Sequence, residues 1–451
     1  MLTYAEALDV LKSAERFGTH PSLEGTRALT AVLSNPQDAY RCIQVTGTNG
    51  KSSTVRLIAA LLAAHGVRTG AYLSPELESM TERIELASAP ATEADFAKAV
   101  SAACSAREGA WESGLLPPEF TITQFELLTT AALWLFRARR VQVACLEVGM
   151  GGRWDATSVA APAVAVITGV ALDHTEQLGQ TREAIAEDKS TIIKPGSVAV
   201  IGPGAPGLDE IFLRRARGAQ VGVVAVRAQG QPSPVVQQRT VCYQLASRPN
   251  APDGCTLVRV RGIFTEYGEV VLLSPAYQAA NVATAIAAVE IYLGCALDAN
   301  ALRTTLEAMV FPGRFELLRG HPPLVIDGAH NPQAAVALAE AIEDAWPGEH
   351  TRPALLLGIL ADKDARGIVE VLAPLASSIA VTRTTSPRAM DVEELATIVE
   401  QVTGRRPPVF ADVDSALDEL STASEAGLVV TGSITTAGEA RRWARERFGT
   451  V

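Results

Sequence analysis

The sequence predicts an α/β protein in two parts. The first, residues 1–295, is a parallel-sheet domain with a small antiparallel sheet added to it, and the second, residues 296–451, is smaller and Rossmann-like. Three observations predict this. The 451 residues are too many for one hydrophobic core. Short apolar runs alternate with helical segments along most of the chain, the pattern of strands buried on both faces of a parallel sheet. And a glycine-rich turn joins the first strand to the first long helix.

Taken in order, the run 42–45 reads as a strand entering the turn Gly47-Thr-Asn-Gly-Lys51. Val55, Ile58, Leu61 and Leu62 then recur at helical spacing, and Gly66 stops the helix. A second strand over 68–73 runs into the loop Ser74-Pro75-Glu76. The spacing predicts a buried helix over 124–138 and buried strands over 141–148 and 163–168, with Asp173-His174 just past the last. Between about 220 and 275, short alternating runs broken by Gly and Pro predict antiparallel strands forming a separate sheet packed on the first domain. A helix over 278–293 closes that domain, and a short hinge lies around 294–314. Strands are then expected at 323–327, 354–358, 379–382, 408–410 and 428–431, each separated by a helical segment.

Composition narrows the function classes. The 39 basic and 50 acidic residues leave a net charge of −11, a surface that repels a polyanion, so no nucleic-acid partner is expected. A small anion can still be held by a local site. The six cysteines form no C-x-x-C pair, and Cys145 sits in an apolar run, as a small hydrophobe does in a reducing compartment. The first residues lack the basic and apolar regions of a signal peptide. The longest uncharged stretch, 156–172, is short and broken by Pro162 and Gly169, so no membrane span is expected and a cytoplasmic location is.

Chemistry concentrates in Gly47-Thr48-Asn49-Gly50-Lys51-Ser52-Ser53. Backbone amides of such a strand–helix turn cradle phosphate oxygens, and Lys51 reaches toward a transferred phosphate. The general G-x-x-x-x-G-K-[ST] pattern is not fully met, because Val45 stands at the first glycine; the shorter T-G-T-N-G-K form is the more specific one.

Five motifs occur together: Val45-Thr-Gly-Thr-Asn-Gly-Lys51, Leu146-Glu-Val-Gly-Met-Gly-Gly-Arg-Trp-Asp155-Ala-Thr, Leu172-Asp-His-Thr-Glu-Gln-Leu-Gly179, Phe311-Pro-Gly-Arg314 and Asp327-Gly-Ala-His-Asn-Pro332. In this order they resemble the folylpolyglutamate synthase/dihydrofolate synthase branch of the Mur ligase family. The resemblance runs from Phe17-Gly18 to Gly438-Glu439. It implies a P-loop ATPase domain that binds ATP and Mg²⁺ and carries the folate site, followed by a C-terminal ligase domain.

Physical reading and resemblance converge on Glu147. It ends a buried strand, where an unpaired carboxylate is costly, and a cation is its natural partner. The resemblance makes that cation Mg²⁺ and adds Ser53, Ser74 and His174 to its shell, although imidazole is an unusual ligand for an ion that prefers oxygen. Lys189, 15 residues after His174, matches a lysine that is carbamylated in the family, a change that turns an ammonium into a carboxylate for a second Mg²⁺. Asp188 stands beside it where the family has Glu. By resemblance Arg314 reaches the phosphates, Asp327 the ribose, and His330 and Asn331 line the same pocket as the second domain closes over the nucleotide. Asn281 lies near the adenine, with Tyr277 in place of the usual histidine. For the acceptor the matching positions are Arg83, Thr123, Phe125, Asp155 and Ala156, with Phe125 able to stack on a flat ring. Ser52 stands where this branch usually has glycine, and Glu76 replaces the histidine of its S-P-H-L loop.

The implied reaction transfers the ATP γ-phosphate to the acceptor carboxylate, and L-glutamate then attacks the acyl phosphate; the enzyme is expected to act as a monomer. Two competing readings are a cell-wall Mur ligase and a regulatory nucleotide-binding protein without catalysis. The 46 residues before Gly47 leave no room for the UDP-sugar domain of the former. Retention of Lys51, Glu147, His174, Lys189, Arg314 and Asp327 together argues against the latter.

Overall fold

The computed structural model describes residues 1–15, 22–422 and 425–449; the start of the family resemblance at Phe17-Gly18 lies outside them. By its contacts the chain forms two compact units. One comprises Met1–Gln244, Val260–Gly268 and Ala280–Thr305; the other Leu245–Arg259, Glu269–Ala279 and Leu306–Val451.

The larger sheet has eleven strands: β1 (Arg41–Thr46), β2 (Thr69–Tyr72), β3 (Ile84–Leu86), β4 (Ala89–Pro90), β5 (Val143–Glu147), β6 (Pro162–Gly169), β7 (Val198–Gly204), β8 (Gly222–Ala228), β9 (Thr240–Ser247), β10 (Thr256–Arg261) and β11 (Glu266–Leu272). Their spatial order is β11-β10-β9-β8-β7-β6-β1-β5-β2-β3-β4. From β9 to β2 every neighbouring pair is parallel, and β3–β4 hairpins back along the β2 edge. The strands expected between about 220 and 275 form as β8 to β11 and are continuous with the parallel strands in one sheet. After β8 the chain passes a short turn at Gln237–Arg239 and returns as β9, parallel to β8, and β10 and β11 extend the same sheet. An alternating pattern reports one solvated face, not the direction of the neighbouring strand.

Register positions the site. β1 is buried from Cys42 onward and lies between β5 and β6, with Val45 opposite Glu147 and Thr46 opposite Ile167. The carboxyl ends of β1, β5 and β6 thus finish side by side, where parallel sheets place ligands. The helix Lys51–Ala64 follows β1 directly, and Gly66 ends it with φ +77°. Helices Glu93–Glu112 and Gln124–Ala138 bury Phe96, Val100, Leu127 and Phe136 with Tyr72 and Leu146 in one core; Ile185, Phe212, Ile167 and Ile201 share a second.

The second unit holds a six-stranded sheet: β12 (Glu316–Gly320), β13 (Pro323–Ile326), β14 (Ala354–Leu357), β15 (Ser378–Thr382), β16 (Val409–Phe410) and β17 (Leu428–Thr431), ordered β12-β13-β17-β14-β15-β16. All pairs are parallel except β12 with β13. Its core includes Val325, Leu338, Leu355, Ile368 and Val429. No helix among the described residues is long and apolar enough to cross a membrane.

Candidate functional site

The turn after β1 is fixed by close backbone approach. A Cβ at Gly47 would lie 1.9 Å from Thr168 Oγ1 on β6, so only glycine lets the two strand ends meet. Thr168 Oγ1 donates to the carbonyls of Asn49 (2.6 Å) and Thr46 (3.3 Å). The Thr48 amide donates to the Gly169 carbonyl at 2.9 Å, and Thr48 Oγ1 accepts from the Ala171 amide at 3.0 Å. Gly50, at φ +80°, caps the helix, and Asn281 Oδ1 sits 2.5 Å from where its Cβ would be. Asn281 therefore packs on the turn itself. Lys51 Nζ folds back to donate to the carbonyls of Gly47 (3.1 Å) and Thr48 (3.0 Å). The result is a preformed loop opening on a helix N-terminus, the arrangement that binds phosphate.

Glu147, at the end of β5, is 1% exposed. Its Oε1 accepts the Ser52 hydroxyl at 2.9 Å and its Oε2 the Ser74 amide at 3.1 Å. The serine that departs from the family's glycine thus supplies the carboxylate with a partner. Ser53 is buried one residue further on. A cleft over the loop is lined by Thr48, Lys51, Gly149, Asp173, His174 and Lys189, among others. His174 has a half-exposed side chain at φ +51°; its amide donates to Asp173 Oδ1 at 3.0 Å, and its Nε2 is 3.9 Å from Asp173 Oδ2. Asp173 was not singled out from sequence; its place directly before His174 at a strand end was the available signal.

These donors fit Mg²⁺ in part. A buried carboxylate beside a serine hydroxyl suits a hard cation. Among the described residues no three His, Cys, Asp or Glu side chains gather as a metal cage. Lys189 is 4% exposed, and its Nζ donates to the Gly47 carbonyl at 3.0 Å. Burial, reinforced by the Lys51 charge, pushes its pKa down to about 7. As an ammonium it repels a cation; as a neutral amine it is a nucleophile toward CO₂.

The acceptor candidates in unit one have supporting roles. Thr123 caps the helix Gln124–Ala138 and exchanges hydrogen bonds with Glu126. The Phe125 ring packs on Tyr72, centroids 5.9 Å apart, and is half-buried. Asp155, 7% exposed, accepts the Gly149 and Met150 amides on Oδ2 (2.9 and 3.1 Å) and the Thr157 amide and hydroxyl on Oδ1 (3.0 and 2.5 Å). Burial raises its pKa and these bonds counter the rise. Asp155 thereby shapes its loop, and Ala156 begins the buried 3₁₀ turn that follows. Arg83 donates through Nε to Glu76 Oε2 at 2.5 Å.

In the second unit Asp327 directly follows β13. Its Oδ1 accepts the Ala329 amide (2.8 Å), and its Oδ2 accepts the Phe315 amide (2.8 Å) and the Tyr277 hydroxyl (3.1 Å). Burial raises its pKa while the Arg314 charge lowers it. Arg314 Nη1 donates to the Gly313 carbonyl, and His330 Nδ1 lies 2.8 Å from the Gly328 carbonyl. The Asn331 side chain accepts the Ala334 amide at 2.8 Å, capping the helix Pro332–Ala345.

Two family models match this chain: the Mur ligase middle domain over residues 45–289 and the Mur ligase glutamate ligase domain over residues 313–434. A dihydrofolate synthase/folylpolyglutamate synthase of Mycobacterium tuberculosis is 35% identical, over 93% of this chain and 89% of that one. The solved structure of Mycobacterium tuberculosis folylpolyglutamate synthase complexed with ADP superposes with a TM-score of 0.88 at 33% identity, covering 98% of each chain. E. coli FolC in complex with DHPP and ADP superposes at 0.83 with 27% identity, covering 99% of this chain and 98% of that one.

Proposed function

We infer the reaction from one premise: this chain belongs to the Mur ligase family, in its folylpolyglutamate synthase/dihydrofolate synthase branch. It is an ATP-dependent ligase that joins L-glutamate to a folate-type carboxylate. The observation that carries the chemistry is the meeting of Lys51, Glu147 and Lys189 around the turn after β1.

The γ-phosphoryl group passes from ATP to an acceptor carboxylate oxygen, giving ADP and an acyl phosphate. The glutamate nitrogen then attacks the carbonyl carbon, and the tetrahedral intermediate expels phosphate as the nitrogen loses a proton. The amides at the start of the helix Lys51–Ala64 hold phosphate oxygens, and Lys51 swings from its carbonyl partners to the transferred group. Glu147, Ser53, Ser74 and His174 would hold one Mg²⁺ and carbamylated Lys189 a second, and the bound ions would supply charge neutralisation on the phosphates. Ser52 fixes Glu147 for that task, and Asp173 fixes His174. Gly47 to Ser53 and Asn281 serve the nucleotide, as do Arg314, Asp327, His330 and Asn331 of the second unit. Arg83, Thr123, Phe125, Asp155 and Ala156 form the acceptor side. ATP and the acceptor bind in residues 1–295, and residues 296–451 form the ligase domain. The enzyme works as a cytoplasmic monomer without nucleic-acid partners, its mass being checked by light scattering.

The test is phosphate release by purified protein with ATP and L-glutamate, comparing dihydropteroate with tetrahydrofolate. Release that depends on either acceptor is expected. Release indifferent to both would remove the reading.

A further inference from the structure

The loop between β2 and β3 is closed and internally tied. The Leu73 amide donates to the Arg83 carbonyl at 2.9 Å. The Glu82 carboxylate gathers the amides of Leu77, Glu78 and Ser79 at 2.8, 3.2 and 3.3 Å. Within this frame the Arg83 side chain is 11% exposed and pairs with Glu76, which is 25% exposed. Beneath Arg83 lies the fully buried Tyr72, whose hydroxyl accepts from Thr129 at 3.1 Å and whose ring meets Phe125. Tyr72 also feels the charges of both Arg83 and Asp155, so these groups form one neighbourhood. The loop's other end, Ser74, touches Glu147. The acceptor side and the phosphate side are therefore joined by one short segment.

We propose that Glu76 decides which end of the acceptor enters this neighbourhood, by neutralising Arg83 so that the subsite takes an uncharged flat ring and rejects carboxylates. The inference rests on the reading that the acceptor is a folate-type molecule, with a neutral heteroaromatic ring at one end and carboxylates at the other. Productive binding needs the carboxylate end at Lys51. A partly desolvated guanidinium without a counter-charge binds carboxylate in a bidentate fork, and would hold such a molecule backwards. With Glu76 in place that fork is already engaged, and a second carboxylate would meet a negative neighbour. Discrimination of this kind is built from a repulsive element as much as an attractive one. A histidine, which the family's S-P-H-L loop carries here, supplies no fixed negative charge.

Glu76→Gln tests this, because an amide oxygen can still accept from Arg83 while the charge is gone. The probe is tri-γ-glutamate, a ring-free polycarboxylate, titrated calorimetrically into wild type and variant without ATP. Removing one charge at this distance from the guanidinium should tighten binding about tenfold, and the Glu76→Gln/Arg83→Gln double variant should return it to the wild-type level. Equal affinity in wild type and Glu76→Gln would overturn the proposal. Should Glu76→Gln fail to fold, judged by circular dichroism, Glu76→His carries the same expectation and the same refutation. Binding is read without turnover, so absence of ligase activity in wild type would remove the proposed function separately.

Discussion

Replacing Gly47 by alanine should damage the phosphate loop through one atom, Thr168 Oγ1. The added Cβ would lie 1.9 Å from that oxygen, against an ordinary contact of 3.4 Å, so about 1.5 Å must be found. The Gly169 amide and carbonyl, next in the same strand, also lie only 3.2 Å from the new Cβ. Thr168 is a stiff β-branched residue whose hydroxyl is already held by Asn49 and Thr46. Overpacking of this kind costs roughly 1–3 kcal/mol, and a lost hydrogen bond about 1 kcal/mol more. The sum of about 2–4 kcal/mol, at 1.4 kcal/mol per tenfold, corresponds to roughly 30- to 1000-fold weaker nucleotide binding. ADP affinity measured by calorimetry is the assay, run as a double-mutant cycle with Thr168→Ala. Removing Oγ1 should recover about tenfold of the loss in Gly47→Ala, whereas Thr168→Val, which keeps an atom in that place, should recover none. Strictly additive effects of Gly47→Ala and Thr168→Ala would refute the reasoning.

Lys51→Ala should leave the fold intact, by circular dichroism, and reduce ligation by about 10²–10³, as loss of one charged transition-state contact typically does; near-normal turnover would remove the phosphate-loop assignment. Arg314→Ala should impair kcat, and unchanged steady-state kinetics would take Arg314 out of the mechanism. Lys189→Ala should lose activity and regain part of it with acetate, and bicarbonate should stimulate CO₂-depleted wild type. Full activity of the variant without added acid would exclude the carbamate. The unmodified Lys189 amine also predicts a pH dependence. Its folded pKa of about 7 lies below the ordinary 10.5, so between those values the unfolded chain binds more protons and stability rises with pH. Lys189→Met should therefore stabilise the CO₂-depleted protein more at pH 6 than at pH 9 in urea unfolding; a pH-independent gain would contradict the buried-amine picture.

Much of this protein is written locally in its sequence. The helices 124–138 and 278–293 were legible from spacing alone and form as Gln124–Ala138 and Gln278–Leu293. Five of the six strands of the C-terminal sheet were legible too, within a residue of their observed ends, while β12 was not read from the sequence. So was the strand–glycine turn–helix over Gly47 to Ser53. Periods of 3.6 and 2 residues, and the special conformations of glycine, act over a few positions, which is why they can be read there. Tertiary structure decided the rest. It placed β9 parallel to β8 and made β8 to β11 continuous with the parallel strands in one sheet, because edge pairing depends on the path of the connection and not on alternation. It gave Glu147 its partners Ser52 and Ser74, respectively 95 and 73 positions away. It turned Thr123, Asp155 and Asn331 into residues that hold loops and helix ends, and joined Tyr277 to Asp327 across 50 positions. Partners so far apart in sequence meet only where strand order and register bring their elements together, and no local periodicity encodes that.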